Sequence, residues 1–227
     1  SRKKKNEIIK NLSSLSVHVR SLPSVSNFAE GKVKIDDLLE IDIGDVLGRE
    51  AVKPNINLLK TNISNKVVMV SGAGGSIGSE LCRLIIKLKP KKLILFELSE
   101  PSLFKIEQEI LKLNDFEVEI FAILGSVRDK LRIKRVFNHF KVQTIYHAAA
   151  YKHVPLVEFN QSEGVLNNIL GTMIIAEAAI ESNVGMFILV STDKAVRPTN
   201  TMGATKRVCE LILQGLSEKS HSTCFTM

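Results

Sequence analysis

The stretch Val67-Val68-Met69-Val70-Ser71-Gly72-Ala73-Gly74-Gly75-Ser76-Ile77-Gly78 decides how this chain is read. Val67 to Val70 form a short apolar run of the buried-strand kind, and glycines follow at once. Behind them Ile77, Leu81, Leu84, Ile85 and Leu88 recur at helical spacing. Strand, glycine turn and helix are therefore expected in that order. Gly72 lets the chain turn sharply, Gly74 and Gly75 leave no side chain between backbone and ligand, and Gly78 lets the helix pack closely on the strand. The helix N-terminus then offers free N–H groups and a positive dipole end to a pyrophosphate. Glu97 closes the next apolar run nineteen residues after Gly78, where a ribose-binding acid belongs. Its carboxylate would accept from both ribose hydroxyls and repel a 2′-phosphate, so NAD is favoured over NADP.

The totals agree with a globular protein that binds anions. The chain has 227 residues, 44% hydrophobic and 24% charged, with a formal net charge of +7. No Trp and only two Tyr are present, and no basic–aromatic stripe concentrates the charge, so a nucleic-acid partner is not expected. Cys82, Cys209 and Cys224 lie far apart with no C-x-x-C pair, which reads as reduced thiols and no metal site. No apolar run long enough to span a bilayer is expected, and the chain reads as soluble.

The chain is expected to divide into a connector over residues 1–64, which does not fold as an independent domain, and a dinucleotide-binding domain over 65–227. The connector begins with Arg2-Lys3-Lys4-Lys5 and an amphipathic helix, continues as a strand over 17–22, and turns acidic from Phe28 to Glu50. The dinucleotide-binding domain is expected to repeat strand and helix. The strands are Val67–Val70, Leu93–Phe96, Val118–Leu124, Thr144–Tyr146 and Phe187–Ser191, with another beginning near Phe225. A helix follows each strand, the longest running from about Glu163 to Glu181. Such a succession implies an α/β fold with a doubly wound parallel sheet. Ligands in these sheets sit beyond the carboxyl ends of the strands. Those ends carry the glycine loop, Glu97, Ser126, Ala148–Ala150 and Thr192–Lys194.

The Gly72-x-x-Gly75-x-x-Gly78 spacing resembles the extended short-chain dehydrogenases/reductases with their Rossmann sheet. Two more motifs narrow the resemblance: Ala148-Ala149-Ala150-Tyr151-Lys152-His153-Val154-Pro155, and Ser191-Thr192-Asp193-Lys194 continuing through Arg197-Pro198-Thr199-Asn200 to Met202 and Lys206. Together these are similar to the polysaccharide-biosynthesis nucleotide-sugar 4,6-dehydratases, most closely the membrane-anchored enzymes acting on UDP-N-acetylglucosamine. The family pattern Tyr-x-x-x-Lys survives here as Met202-x-x-x-Lys206. A thioether is not a useful proton acceptor, but the membrane-anchored subgroup is similar in having Met there.

The resemblance implies a lyase that uses NAD and a UDP-sugar and feeds capsule, O-antigen or glycan synthesis. It implies a homo-oligomer working on the cytoplasmic side, anchored in the inner membrane by segments outside this chain, and a C-terminal substrate part beyond it. By the same resemblance Asp193 is the acid at O6 and Lys194 the base at C5, roles that need both pKa values moved towards working pH, as mutual placement in a desolvated cleft can do. Thr192 bonds the sugar near O4, and Lys206 binds the nicotinamide ribose beside Met202. Cofactor contacts are expected at Gly72, Gly74, Gly75, Ser76, Ile77, Gly78, Glu97, Ser126, Val127, Ala148, Ala149, Ala150, Lys152, Asn168 and Lys206. Ser126 stands where the family leads one to expect Asp, so weaker cofactor binding is expected. An epimerase or reductase on the same scaffold, or a non-catalytic NAD-binding module, are the alternatives.

Overall fold

The computed structural model describes residues 55–114, 118–220 and 222–227. The amphipathic helix, the early strand and the acidic connector expected before residue 54 lie outside the described residues.

Six parallel strands form one sheet: β1 (Val67–Ser71), β2 (Lys92–Glu97), β3 (Glu119–Leu124), β4 (Thr144–His147), β5 (Met186–Leu189) and β6 (Cys224–Thr226). Their spatial order is β3-β2-β1-β4-β5-β6, so the chain winds outward from β1 first one way and then the other. The register pairs Ser71 with Phe96 on one side and with His147 on the other, which aligns the strand ends.

Helices cover both faces: α1 (Ile56–Ile63), α2 (Ser76–Ile86), α3 (Glu100–Leu113), α4 (Lys130–Phe140), α5 (Val154–Phe159), α6 (Gln161–Glu181) and α7 (Thr201–Lys219). All of β1 is buried, as a central parallel strand requires. Alternate residues serve opposite layers. Val68, Val70, Leu93 and Leu95 pack with Cys82, Ile85, Ile86, Ile106 and Ile110, whereas Met69, Ile94, Phe96, Ile145 and Phe187 pack with Ile133, Phe137, Ile175, Ala179 and Leu213.

Local chemistry sets the helix starts. Ser99 caps α3 through Ser102 N–H and Asp129 caps α4 through Arg132 N–H, while Asn200 caps α7 through Gly203 N–H. Three differences from the sequence reading stand out. The helix α1, capped by Asn55, lies ahead of the expected start at Asn65 and places Ile63 in the core. A short helix, α5, precedes α6, and α6 carries a π-helical turn over Val165–Leu170. Finally, α6, with 21 residues, is by length and composition long and apolar enough to cross a bilayer, contrary to expectation. Half of that stretch is buried. Ile175, Ala176, Ala178 and Ala179 belong to the core, so packing explains its composition.

Candidate dinucleotide and catalytic site

The glycine loop is built by close approach. Gly72 has φ +71°, and a Cβ there would lie 2.7 Å from the Ala149 backbone. A Cβ on Gly78 would lie 1.9 Å from the Gly72 carbonyl oxygen. Gly72 N–H donates to Phe96 O at 2.8 Å, and Gly75 N–H donates to Gly72 O at 3.1 Å. The loop thus closes on itself while touching the ends of β2 and β4. Gly75 occupies the N-cap of α2 with no side-chain cap, leaving the first-turn N–H groups for an anion.

Glu97 ends β2 as expected. Its carboxylate accepts from Gly74 N–H at 3.0 Å, Leu98 N–H at 2.8 Å and Ser99 N–H at 3.0 Å. Those bonds hold the acid against the glycine loop. A groove of about 200 Å³ runs past Gly72, Gly74, Gly75, Glu97, Ser126 and Ala148–Ala150. Ser126 Oγ accepts from Arg128 N–H at 3.2 Å. Val127, largely buried, also lines this groove and packs against Gly171, where a Cβ would meet Val127 Cγ2 at 2.8 Å.

A second groove of about 690 Å³ adjoins the first at Gly75, Ala148, Ala150 and Tyr151. Ser76, Ile77, Gly78, Lys152, His153 and Leu156 line it. Lys152 Nζ donates to Ser76 Oγ at 2.6 Å, which carries a cation to the N-terminus of α2. Asn168 reaches neither groove wall. It is fully buried in α6, where Oδ1 accepts from Tyr151 N–H at 2.8 Å and Nδ2 donates to Tyr151 O at 3.0 Å and to Thr205 Oγ1 at 3.0 Å. Asn168 therefore holds the loop after β4 from behind.

The second cluster follows β5. Asp193–Ala195 form a 3₁₀ turn whose N-cap is Thr192. Thr192 Oγ1 donates to Asp193 Oδ1 at 3.1 Å and accepts from Lys194 N–H at 3.4 Å. Lys194 Nζ lies 3.9 Å from Asp193 Oδ1. Among the described residues the Lys194 and Asp193 side chains are 44% and 65% exposed. The turn follows the end of β5 and packs against α7 with Ala195 buried, while the Asp193 and Lys194 side chains face outward.

The residues on α7 behave oppositely. Met202 and Lys206 are both buried. Lys206 Nζ donates to Val190 O at 2.7 Å, beneath the end of β5. Burial pulls its pKa below the usual lysine range. Gly203 lets α7 approach the turn, because a Cβ would meet Lys194 O at 2.3 Å. Glu158 of α5 fixes the start of α7 by accepting from Thr201 N–H at 2.6 Å and Thr201 Oγ1 at 2.8 Å. Those two bonds hold the Glu158 carboxyl below its ordinary pKa.

Sequence reasoning missed Glu158 and His147. His147, the last residue of β4, is buried with Nδ1 2.6 Å from Ser71 Oγ and Nε2 3.0 Å from Thr172 Oγ1. Burial, and then the Lys206 ammonium, push its pKa down to about 3. The only sequence signal was a polar residue closing an apolar strand.

The chain is similar to known proteins in sequence and in fold. The capsular polysaccharide biosynthesis protein CapD of Staphylococcus aureus is 42% identical over 225 residues, 99% of this chain and 38% of that protein. The UDP-N-acetylglucosamine 4,6-dehydratase (inverting) of Campylobacter jejuni subsp. jejuni serotype O:2 is 34% identical over 63% of this chain and 41% of its own length. The chain thus spans about two fifths of these relatives. The dTDP-glucose 4,6-dehydratase DesIV of Streptomyces venezuelae, solved with NAD and TYD bound, shares the fold at a TM-score of 0.59 and 21% identity, over 66% of this chain and 52% of that one. Residues 68–227, which contain both grooves and the Thr192–Lys194 turn, match the polysaccharide biosynthesis protein family, and the chain belongs to it.

Proposed function

We propose that this chain is the cofactor-binding part of an NAD-dependent nucleotide-sugar 4,6-dehydratase acting on UDP-N-acetylglucosamine. The observation that carries the reading is the meeting of a glycine cradle, Glu97 and the Thr192–Lys194 turn at one edge of a parallel sheet. The named dehydratase relative supports the substrate, and the short overlap with its length supports a further substrate-binding part.

The residues fit NAD. Side chains at Gly72, Gly74 or Gly78 would fill the close approaches that shape the cradle. The α2 N-terminus and Lys152 would hold the pyrophosphate, while Glu97 would exchange its N–H partners for ribose hydroxyls. NAD, when bound, would supply the acceptor for a hydride from sugar C4, with the O4 proton released to solvent, and later the donor to C6, with the proton taken by Lys194 returned to C5. Lys194 takes the C5 proton, and Asp193 gives a proton to the departing C6 hydroxyl, which leaves as water. Those roles need a neutral lysine and a protonated acid, which burial by substrate and the further part would favour. Thr192 Oγ1 orients Asp193. Lys206 acts from beneath the strand end as a buried positive charge, and Met202 takes no proton.

A single-turnover assay with UDP-N-acetylglucosamine deuterated at C4 tests this reading, using the full-length protein that contains this chain. A 4-keto-6-deoxy product carrying deuterium at C6 is expected, and Asp193→Asn or Lys194→Ala should abolish water loss while NAD binding persists. Full-length protein that binds NAD yet releases no water from any UDP-sugar would overturn it. The exposure of Asp193 and Lys194 favours a second reading for the 227-residue piece alone, a dinucleotide-binding module without turnover.

A further inference from the structure

A buried polar chain runs under the two grooves and has no part in the chemistry above. Ser71 closes β1 immediately before the glycine loop, His147 closes β4, Thr172 lies on α6 and Cys209 on α7. All four are buried. His147 bridges Ser71 and Thr172 through its two ring nitrogens. The Cys209 thiol donates to Asn168 O at 3.0 Å, one turn before Thr172 on α6.

The direction of this chain follows from its near end. The Ser71 O–H donates to a bare Nδ1, so Nε2 carries the ring proton and donates to Thr172 Oγ1. The reverse order would strand the Ser71 hydrogen, because its hydroxyl makes no other hydrogen bond among the described residues. A buried donor without an acceptor is costly, so the alternative is disfavoured.

We infer that Ser71, His147 and Thr172 form a one-directional hydrogen-bond chain that locks His147 as its Nε2–H tautomer and makes it a positioning residue, registering α6, and through α6 the loop after β4 and α7, against the glycine loop. The connection continues at both ends. Asn168, one turn before Thr172 on α6, holds Tyr151 N–H and O, accepts the Cys209 thiol at its carbonyl and meets Thr205, and Thr205 Oγ1 donates to Met202 O at 2.7 Å. The His147 carbonyl accepts from Val190 N–H at 3.0 Å, and Val190 O accepts from Lys206. His147 therefore reaches both Met202 and Lys206 without touching a groove. Its depressed pKa agrees with a permanently neutral ring. As a role in a reacting site, this inference rests on the dehydratase reading; as a statement about the tautomer and the register of α7, it stands alone.

The test uses the 227-residue chain labelled with ¹⁵N at histidine, with the His147 resonances assigned by their loss in His147→Gln. Long-range proton–nitrogen correlation should show Nε2 protonated, Nδ1 bare and no titration between about pH 5.5 and about pH 8.5. In parallel, Thr172→Val should weaken NAD binding about three- to tenfold, and Thr172→Ser should restore it, because only the hydroxyl is needed. A protonated Nδ1, or a ring that titrates in that range, overturns the inference. So does a Thr172→Val variant that binds NAD as wild type does. If NAD fails to bind at all, the tautomer still decides. Failure of sugar dehydration touches only the dehydratase reading.

Discussion

Replacing Gly78 by Ala isolates the contact on which the glycine loop depends. Gly78 lies within α2 and has an ordinary helical backbone, so alanine brings no conformational strain and would gain about 1 kcal/mol of helix propensity. Its Cβ, however, would stand 1.9 Å from Gly72 O and 2.7 Å from Gly72 C. A tolerable contact needs the helix and loop to part by about 1 Å or more, because carbon and oxygen pack at roughly 3.3 Å or beyond. Gly72 O cannot swing aside freely, since it accepts the Gly75 N–H at 3.1 Å. Overpacking of this kind costs about 1–3 kcal/mol, and losing that hydrogen bond costs about 1 kcal/mol more. Net of propensity, the variant should lose about 2 kcal/mol. With a urea slope of about 2 kcal/mol per molar for a domain of this size, the unfolding midpoint should fall by roughly 1 M. NAD affinity should fall at least about tenfold, because the α2 N–H groups retreat from the pyrophosphate position. The control is Gly215→Ala in α7, where an added Cβ meets nothing within 4 Å. That change should be neutral or stabilise by up to about 1 kcal/mol. A Gly78→Ala protein as stable as wild type, with unchanged NAD affinity, would refute the close-approach argument.

Other consequences can be measured directly. His147 has its pKa lowered from 6.5 to about 3, so the folded state favours the neutral ring. That contribution is complete above pH 6.5 and is lost as pH falls towards 3; about 2 kcal/mol should disappear between pH 6.5 and about pH 5 in urea titrations, and His147→Gln should flatten that slope. Glu97→Ala removes the acceptor of three backbone N–H groups, so NAD binding should weaken about tenfold or more by calorimetry, with Glu97→Gln intermediate. Ser126→Asp should tighten NAD about threefold or more if the groove beside Ser126 holds the adenine amine. Thiol titration should find one fast-reacting cysteine, Cys224, because Cys82 and Cys209 are buried and burial pushes the Cys82 thiol up to about 12.

Much of the fold was written in the chain at short range. An apolar run of four, a glycine at a sharp turn and apolar residues at helical spacing specify strand, loop and helix whatever surrounds them. Repeated along the sequence, that pattern admits little besides a parallel sheet with its working edge at the strand ends. Glu97 was legible for the same reason: it closes an apolar run, and a strand's last residue is fixed by its register. Tertiary packing decided the rest. Asp193 and Lys194 were readable as a motif, but their exposure depends on what lies over the end of β5. Lys206 looked like a group for the cofactor, yet α7 packs so that its ammonium turns under the sheet to Val190 O. Asn168 was legible as a polar residue in an apolar helix, but only the meeting of α6, α7 and the loop after β4 made it a support for Tyr151. His147 and Glu158 carry no local signature at all, because their partners stand 25 to 76 residues away in the chain. Sequence periodicity fixes which face a residue occupies; the pairing of buried polar groups is settled only where faces from distant segments meet.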